Sequence, residues 1–464
     1  MQQTSTQHPP PSNVPQPAGQ IPLPQAPLQK ALGGAFWTAG GYGVRQILRF
    51  INNLILTRLL FPELFGLMAI VNLFVLGLNL FSDIGLNPAI IQSKRGDESR
   101  FLNTAWTIQV LRGVLLAIGA VFLAWPVSRF YDQPILLYAL PVSGLTALFA
   151  GFNSTRMAEA NRQLRMRDLV FVELSAYVIG LVVMVVWAFV SPTIWAPVSG
   201  GIVTALCEML FSHLFLSGNK NRFEWDMTAA REIFRFGRWI FISTALTFLA
   251  SQTDRLLIGR LIDFNFLGIY TVAFALAAMM DQGIRQLGYR VLFPSYADVE
   301  RNDPADLYKF LRKSRLWLIG AALFVGIFLV LLSPQIIELL YDDRYLQAGW
   351  IMRFLAVGAL FSVPGITYDN VLVARGQTRS LAFVMGVQFL LQLVALFVGL
   401  QIGGAIGLVT GLSLVGLLSY PVRAIMVRRE NLWQPEVDLP YIAIVVLIWI
   451  GAITNHLGWW EVFA

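Results

Sequence analysis

The chain has 464 residues, of which 56% are hydrophobic and only 13% are charged. Soluble domains carry about 25% charged residues. So few charges cannot cover the water-facing surface of a long chain, and the apolar residues come in blocks of roughly 20, the length that spans a bilayer as a helix. The composition excludes a soluble protein and predicts an all-α polytopic membrane protein.

The first segment, 1–29, is rich in proline and glutamine and has no ionisable side chain except His8. Such a segment buries too little apolar surface to offset its chain entropy. It also lacks the basic start and apolar stretch of a signal peptide. We predict a disordered cytoplasmic tail.

Twelve apolar blocks follow in two sets of six, and a thirteenth lies near the end. The predicted spans are 32–57, 64–83, 103–125, 134–152, 169–190 and 194–216, then 237–261, 265–285, 314–335, 347–372, 379–399 and 402–424, and last 440–460. These spans predict an N-lobe at 30–216, a charged cytoplasmic linker at 217–236, a C-lobe at 237–424, and a linker with a C-terminal hydrophobic helix at 425–464.

Lysine and arginine concentrate in alternate loops. With the N-terminus inside, the outside loops hold only Arg58, Arg129, Arg260 and Arg344. Basic loops resist export, so this asymmetry predicts a cytoplasmic N-terminus. It also explains the formal net charge of +7 without a nucleic acid partner, because cationic loops contact anionic lipid headgroups.

The predicted outside loops are short and carry no recognisable chemistry. No large outer loop with paired carboxylates is present, and the sequence contains no metal-ligand cluster, phosphate-binding glycine motif or nucleophile triad. The single cysteine, Cys207, cannot form an internal disulfide. We predict no catalytic site, no metal and no cofactor.

The two sets of spans form an internal repeat. The stretch LTRLLFPELFGLMAIVNLF (56–74) matches IGRLIDFNFLGIYTVAFAL (258–276) at an offset of 202, which aligns Gly66 with Gly268. FYDQ (130–133) likewise matches LYDD (340–343). Six spans is an even number, so both halves enter from the same side, and parallel repeats of this kind place a substrate site between them.

Polar residues lie at equivalent positions inside the first two spans of each half. Intramembrane ionisable residues usually face a water-filled cavity or a partner. Arginine binds phosphate oxygens through two parallel hydrogen bonds, and amides and carboxylates can bind sugars. The candidate cavity residues are Arg45, Arg49, Asn52, Asn53, Asn79, Asp83, Gln252, Asp254, Arg255, Asp281 and Arg285.

A second interpretation of the same residues is structural. The carboxylates of Asp83, Asp254 and Asp281 could neutralise neighbouring arginines as packing pairs, without any contact with a substrate. The sequence leaves both interpretations open.

Three stretches, 56–70, 81–92 and 236–277, resemble the Wzx-type polysaccharide flippases, whose superfamily also holds multidrug exporters and lipid II flippases. The resemblance covers about 30–430 and implies two lobes in a V-shaped bundle that works by alternating access. It implies that the cargo is a polyprenyl-diphosphate-linked oligosaccharide for exopolysaccharide or O-antigen synthesis, and that the central cavity is cationic. We carry that cationic role onto Arg45, Arg49 and Arg255.

The resemblance also implies a bacterial inner-membrane location. Membrane lipids, a polysaccharide polymerase and an export complex are the candidate partners. The family usually has twelve or fourteen spans, whereas thirteen are predicted here. Two alternatives remain: a cation-coupled exporter of drugs or small lipids, which an acidic cavity would favour, and a membrane polysaccharide polymerase, which would need a large outer loop.

Overall fold

The computed structural model describes residues 25–81, 86–93, 95–288, 292–302 and 306–463. This part of the chain is helical, which confirms the predicted fold class. The helices are α1 (Gln25–Leu59), α2 (Pro62–Phe81), α3 (Leu86–Gln92), α4 (Ser99–Tyr131), α5 (Leu136–Gly151), α6 (Arg156–Arg162), α7 (Met166–Val190), α8 (Trp195–Leu214), α9 (Met227–Leu261), α10 (Phe264–Leu287), α11 (Phe293–Asn302), α12 (Leu307–Leu340), α13 (Ala348–Ala374), α14 (Thr378–Arg429) and α15 (Pro435–Phe463). We call α1–α8 the N-lobe and α9–α14 the C-lobe. Most of the predicted tail, and Asp83, lie outside the described residues.

Over the described residues, each predicted span falls on a helix. By length and composition, nine helices among the described residues could cross a membrane, and α5 with α6 forms a tenth candidate bent by 58°. α1 and α9 are not among these, and both carry several polar residues. α14 contains two of the predicted spans, 379–399 and 402–424. Its backbone is non-helical at Gly403 and Gly404, and at Gly404 φ is 56° and ψ is −136°. Only glycine adopts such a conformation readily.

Three short helices, α3, α6 and α11, were not predicted. They are too short to span a bilayer, so a search for long apolar blocks passes over them. Arg162 of α6 joins two of them, because its Nη1 donates to the carbonyl oxygens of Ile90, Ile91 and Ser93 at the end of α3. These bonds satisfy carbonyl groups that a helix end leaves without partners.

The two lobes meet where α2 crosses α10. A Cβ on Gly66 would lie 2.0 Å from the carbonyl oxygen of Phe264, and a Cβ on Gly268 would lie 1.8 Å from that of Pro62. At the offset of 202, Gly66 is equivalent to Gly268 and Pro62 is equivalent to Phe264. The contact of Gly66 with Phe264 is therefore the repeat-equivalent of the contact of Gly268 with Pro62. This reciprocal contact is the one that two parallel repeats make about an axis between them.

We expect Gly268→Ala to destabilise the protein, because the new methyl group overlaps the backbone of α2. Overpacking of this kind costs about 1–3 kcal/mol. Gly283→Ala is the matched control: it lies on the same helix, and a Cβ there meets nothing within 4 Å. Thermal unfolding of the purified variants should show a lower midpoint for Gly268→Ala alone. Equal midpoints would show that the crossing is not tightly packed.

Further contacts between the lobes lie at the end of the molecule where the predicted outside loops are. Tyr131 donates to the carbonyl of Leu256, and Tyr341 donates to Oδ1 of Asn53. Arg344 donates from Nη2 to the carbonyl of Arg58 at 3.0 Å. We call these interlobe bonds the outer closure. The hydrogen bonds that Arg344 donates to Asp342 hold the pKa of that carboxyl below its usual value and fix the guanidinium.

The predicted linker, 217–236, begins as chain without regular secondary structure and continues as the first turns of α9. Its polar groups bind the N-lobe: Nδ2 of Asn103 donates to Glu224 at 2.9 Å, and Arg95 pairs with Asp226 at 2.9 Å. The hydrogen bonds from Thr228, and after them the pairing with Arg95, lower the pKa of Asp226. The start of α9 is therefore attached to the N-lobe, although its other end belongs to the C-lobe.

The last apolar block is the long helix α15, which packs against α12 and α13. Its Asp438 forms an ion pair with Arg315 of α12, and both side chains are fully buried. Tyr368 and Tyr420 donate to the second carboxylate oxygen at 2.6 and 2.7 Å. The thirteenth block is thus an integral part of the C-lobe packing.

Candidate functional site

A cavity of about 650 Å³ lies between the lobes, walled mainly by α1, α2, α9 and α10. These are the four helices on which the sequence places its polar residues. Its described lining contains two arginines and no carboxylate. The other polar groups are six carboxamides, two tyrosines and a threonine: Gln46, Asn52, Asn53, Asn72, Gln252, Gln282, Tyr177, Tyr341 and Thr271. The cavity is therefore cationic and rich in amides.

Arg49 contributes one of the two cations, from α1. Among the described residues it has no ion-pair partner, and Tyr177 of α7 lines the cavity beside it. A guanidinium without a carboxylate keeps its donors available for an anion. Arg49 is thus a cation on the cavity wall that no described carboxylate neutralises.

Arg255 contributes the second cation, from α9 on the other lobe. Its guanidinium lies 4.5 Å from the ring centroid of Phe274, and its Nη1 donates to Oε1 of Gln252 at 2.9 Å. Its Nε is buried and has no partner among the described residues. Stacking on Phe274 and one hydrogen bond to the Gln252 carboxamide therefore orient the guanidinium of Arg255 without neutralising its charge.

Two asparagines on α1 lie beside these cations. Nδ2 of Asn52 makes only a long contact of 3.6 Å to Sδ of Met184, and its buried Oδ1 has no partner among the described residues. Asn53 accepts a hydrogen bond from Tyr341 at 2.9 Å. An unpaired buried carboxamide oxygen is costly, so Asn52 is poised to accept a hydrogen bond from a ligand.

Arg45 differs from Arg49. Its Nη2 forms an ion pair of 2.7 Å with Glu173 of α7, and both side chains are more than a third exposed. It is not part of the cavity lining, although its neighbour Gln46 is. The sequence places Arg45 and Arg49 on one stripe, but Glu173 lies 128 residues away in the chain, so its pairing with Arg45 could not be foreseen.

Asp254, Asp281 and Arg285 line a different cavity. It has about 210 Å³ and lies inside the C-lobe, between α9, α10, α13 and α14. Asp254 is buried and accepts a hydrogen bond from Tyr270 at 2.6 Å, while Asp281 pairs with Arg285 at 2.7 Å. Adjacent helical positions point about 100° apart, so Asp254 faces the lobe interior while Arg255 faces the central cavity. The expectation of one shared cavity therefore needs correction for Asp254 and Asp281, whereas Arg285 also lines a cavity between α1 and α10 that shares lining residues with the central one.

Asn79 also lies away from the central cavity. Its Nδ2 donates to the carbonyl of Val75 in the same helix, and its own carbonyl accepts from Arg112 of α4 at 2.8 Å. Of the predicted residues, the structure thus brings together Arg49, Asn52, Asn53, Gln252 and Arg255.

Sequence reasoning missed Tyr341 and Phe274. Tyr341 lies in the LYDD motif that marked the repeat, so its position was visible but its contact with Asn53 was not. Phe274 carried no signal, because an aromatic residue in an apolar span is usually a packing residue.

Comparisons with known proteins agree on one family. The sequence model of the family described as "Polysaccharide biosynthesis protein" matches residues 55–349. The chain is 22% identical over 396 residues to lipopolysaccharide biosynthesis protein WzxC of Escherichia coli strain K12, covering 84% of this chain and 79% of that one. It is 24% identical over 340 residues to teichuronic acid biosynthesis protein TuaB of Bacillus subtilis strain 168, covering 73% and 70%.

Two solved structures share the fold. Lipid II flippase MurJ in an inward closed conformation superposes with a TM-score of 0.65 at 12% identity, covering 93% of this chain and all of that chain. A multidrug resistance MATE family transporter of the MOP superfamily, in an inward-facing conformation, has a TM-score of 0.65 at 14% identity, covering 83% and 95%.

Proposed function

Because the chain belongs to the polysaccharide biosynthesis protein family, we propose that it moves a polyprenyl-diphosphate-linked oligosaccharide from the cytoplasmic to the outer leaflet. The observation that carries this proposal is the central cavity, which contains a wall of carboxamides and two arginines that have no carboxylate partner among the described residues. The arginines suit the diphosphate, and the carboxamides suit sugar hydroxyl groups.

The charge of the cavity matches that cargo. A diphosphate that leaves water loses its hydration, and this loss must be offset by donors inside the membrane. Arg49 and Arg255 offer forked donors from opposite lobes, so one anion can contact both halves of the protein. A ligand held by both lobes can couple its own position to their rearrangement.

The carboxamides supply the second half of the recognition. Each offers both donors and an acceptor, as sugar hydroxyl groups do, so a carboxamide can pair with a sugar without adding charge. The cavity volume of about 650 Å³ lies within the range of small-ligand sites. A few sugars fit such a space while the prenyl tail stays in lipid.

The contacts between the lobes determine from which side of the membrane the cargo reaches the central cavity. The outer closure seals one end, and a further cavity of about 590 Å³ between α1 and α10 shares Gln46, Met279 and Gln282 with the central one. This second cavity leads toward the end with the basic loops, which we assign to the cytoplasm. The conformation is thus inward-facing, and transport consists of the lobes rocking about the crossing of α2 and α10.

The remaining assignments complete the proposal. The protein lies in a bacterial inner membrane with its N-terminus and tail in the cytoplasm, and the lobes extend over 30–216 and 237–424. A polysaccharide polymerase takes up the flipped unit. A cation-coupled drug exporter is the alternative, and it is less well supported because acidic groups do not line the described part of the central cavity.

Arg49→Ala tests the proposal in a strain that lacks the native protein. We expect polymer output to fall roughly tenfold or more, since a charge-assisted hydrogen bond contributes about 1.5–3 kcal/mol. Arg49→Lys should keep part of the output, because it retains the charge but loses the fork. Arg129→Ala, at an exposed position, is the control. If Arg49→Ala accumulates normally in the membrane and still supports full output, the cavity does not bind the cargo.

A further inference from the structure

The outer closure contains a pair of tyrosines that the repeat makes equivalent. Tyr131 of FYDQ and Tyr341 of LYDD are both buried and both reach across to the first helix of the opposite lobe. Tyr131 donates to the carbonyl oxygen of Leu256 on α9 at 3.1 Å. Tyr341 donates to the side-chain oxygen of Asn53 on α1 at 2.9 Å.

The two bonds differ in what can reach them. Asn53 and Tyr341 both line the central cavity, whereas Tyr131 and Leu256 do not. The acceptor of Tyr131 is a backbone oxygen of a helix, while the acceptor of Tyr341 is a side chain that a ligand could contact. Only one bond of the equivalent pair is therefore exposed to the contents of the cavity.

The chemistry of Asn53 suits a hydroxyl ligand. Its Nδ2 has no hydrogen-bond partner within the described part of the chain, and its Oδ1 is held by Tyr341 alone among those residues. A sugar hydroxyl can accept from Nδ2 and donate to Oδ1 together, since it both donates and accepts. Oδ1 has two lone pairs, but a hydroxyl that also accepts from Nδ2 must lie in the plane of the carboxamide, so turning the carboxamide toward that hydroxyl moves Oδ1 away from Tyr341.

We propose that Asn53 is a sugar-binding residue whose oxygen is exchanged between Tyr341 and the cargo, so that a glycan in the cavity releases one bond of the outer closure. Tyr341 is a positioning residue, because it acts through Asn53. This inference rests on the proposed function. Arg344 and Tyr345 still bind α1 and the residues after it through backbone carbonyls, so the exchange favours opening without forcing it.

The test compares Tyr341 with its repeat-equivalent, Tyr131, which serves as the control. In a Cys207→Ser background, Ala69→Cys places a reporter thiol on the cavity wall. The protein is reconstituted with its outer end facing out, and a charged maleimide added outside labels the thiol when the closure opens. The probes are farnesyl diphosphate, which has no sugar, and farnesyl diphosphate carrying one glucose. Tyr341→Phe and Tyr131→Phe each remove a single hydroxyl.

Without a probe, we expect each phenylalanine variant to label roughly fivefold faster than the background, because each loses one closure hydrogen bond. The glycosylated probe should label faster than farnesyl diphosphate in the background and in Tyr131→Phe. In Tyr341→Phe the two probes should give the same rate. Asn53→Ala, which removes the shared oxygen by another route, should also fail to distinguish them.

An equal response to glucose in Tyr341→Phe and Tyr131→Phe would overturn the inference while leaving the proposed function in place. Binding of the probes is measured in a separate experiment, by the quenching of tryptophan fluorescence. If neither probe binds, or if Arg49→Ala binds both as tightly as the background does, the proposed function fails and the inference fails with it.

Discussion

Asp438→Asn should lower the free energy of unfolding by about 3–5 kcal/mol, the usual effect of breaking a buried ion pair. The substitution leaves the Arg315 guanidinium charged and fully buried, with no carboxylate to balance it. It also weakens the bonds from Tyr368 and Tyr420, because a neutral amide oxygen accepts less strongly than a carboxylate. Because this network joins α15 to α12, α13 and α14, the C-terminal helix should detach first.

Thermal unfolding and membrane abundance of the variant measure this effect. Asp438→Leu combined with Arg315→Met should recover much of the stability, since an apolar pair avoids the unbalanced charge. Lys309→Met is the control, because the Lys309–Asp306 pair is exposed and such pairs contribute about 0–1 kcal/mol. Wild-type stability in Asp438→Asn would mean that the pair does not hold α15 in place.

Arg255→Glu should abolish transport while leaving the protein folded. It places a negative charge where we propose that the diphosphate binds, so the loss should exceed the tenfold expected from a single missing charge-assisted hydrogen bond. The aromatic face of Phe274, which now attracts the guanidinium, offers nothing to a carboxylate. Arg255→Lys should retain part of the activity because it keeps the charge.

Polymer output per unit of membrane protein measures this loss. Arg231→Glu provides the same change of charge at an exposed position near the start of the same helix, and it should support normal output. Strong output from a well-folded Arg255→Glu protein would remove Arg255 from the site and shift the anion-binding role to Arg49 alone.

The sequence is informative about features that depend on composition and order. Apolar blocks locate the spans, and the matched glycines at 66 and 268 indicate the internal repeat, while their role in the crossing of α2 and α10 is visible only in the structure. Arg49 and Arg255 were identifiable because ionisable residues inside spans are rare and costly. These properties belong to single segments, or to pairs that the repeat itself relates.

The sequence is less informative about which way a side chain faces. Asp254 and Arg255 are adjacent, yet they serve different cavities, and a one-residue error in helix phase exchanges them. Arg45 is equally misleading, because its pairing with Glu173 depends on how α1 packs against α7. The short helices α3, α6 and α11 carry no span-length signal. Contacts between distant segments determine all of these features.

Transport by the purified protein tests the central claim most directly. The protein is reconstituted into vesicles that contain a fluorescent prenyl-diphosphate-linked oligosaccharide in both leaflets, and an impermeant quencher is added outside. Empty vesicles should lose about half of the fluorescence, the share of the outer leaflet. With the wild-type protein we predict nearly complete loss, and with Arg49→Ala combined with Arg255→Ala we predict the half-loss of empty vesicles. Half-loss with the wild-type protein, or complete loss with the double variant, would contradict the account.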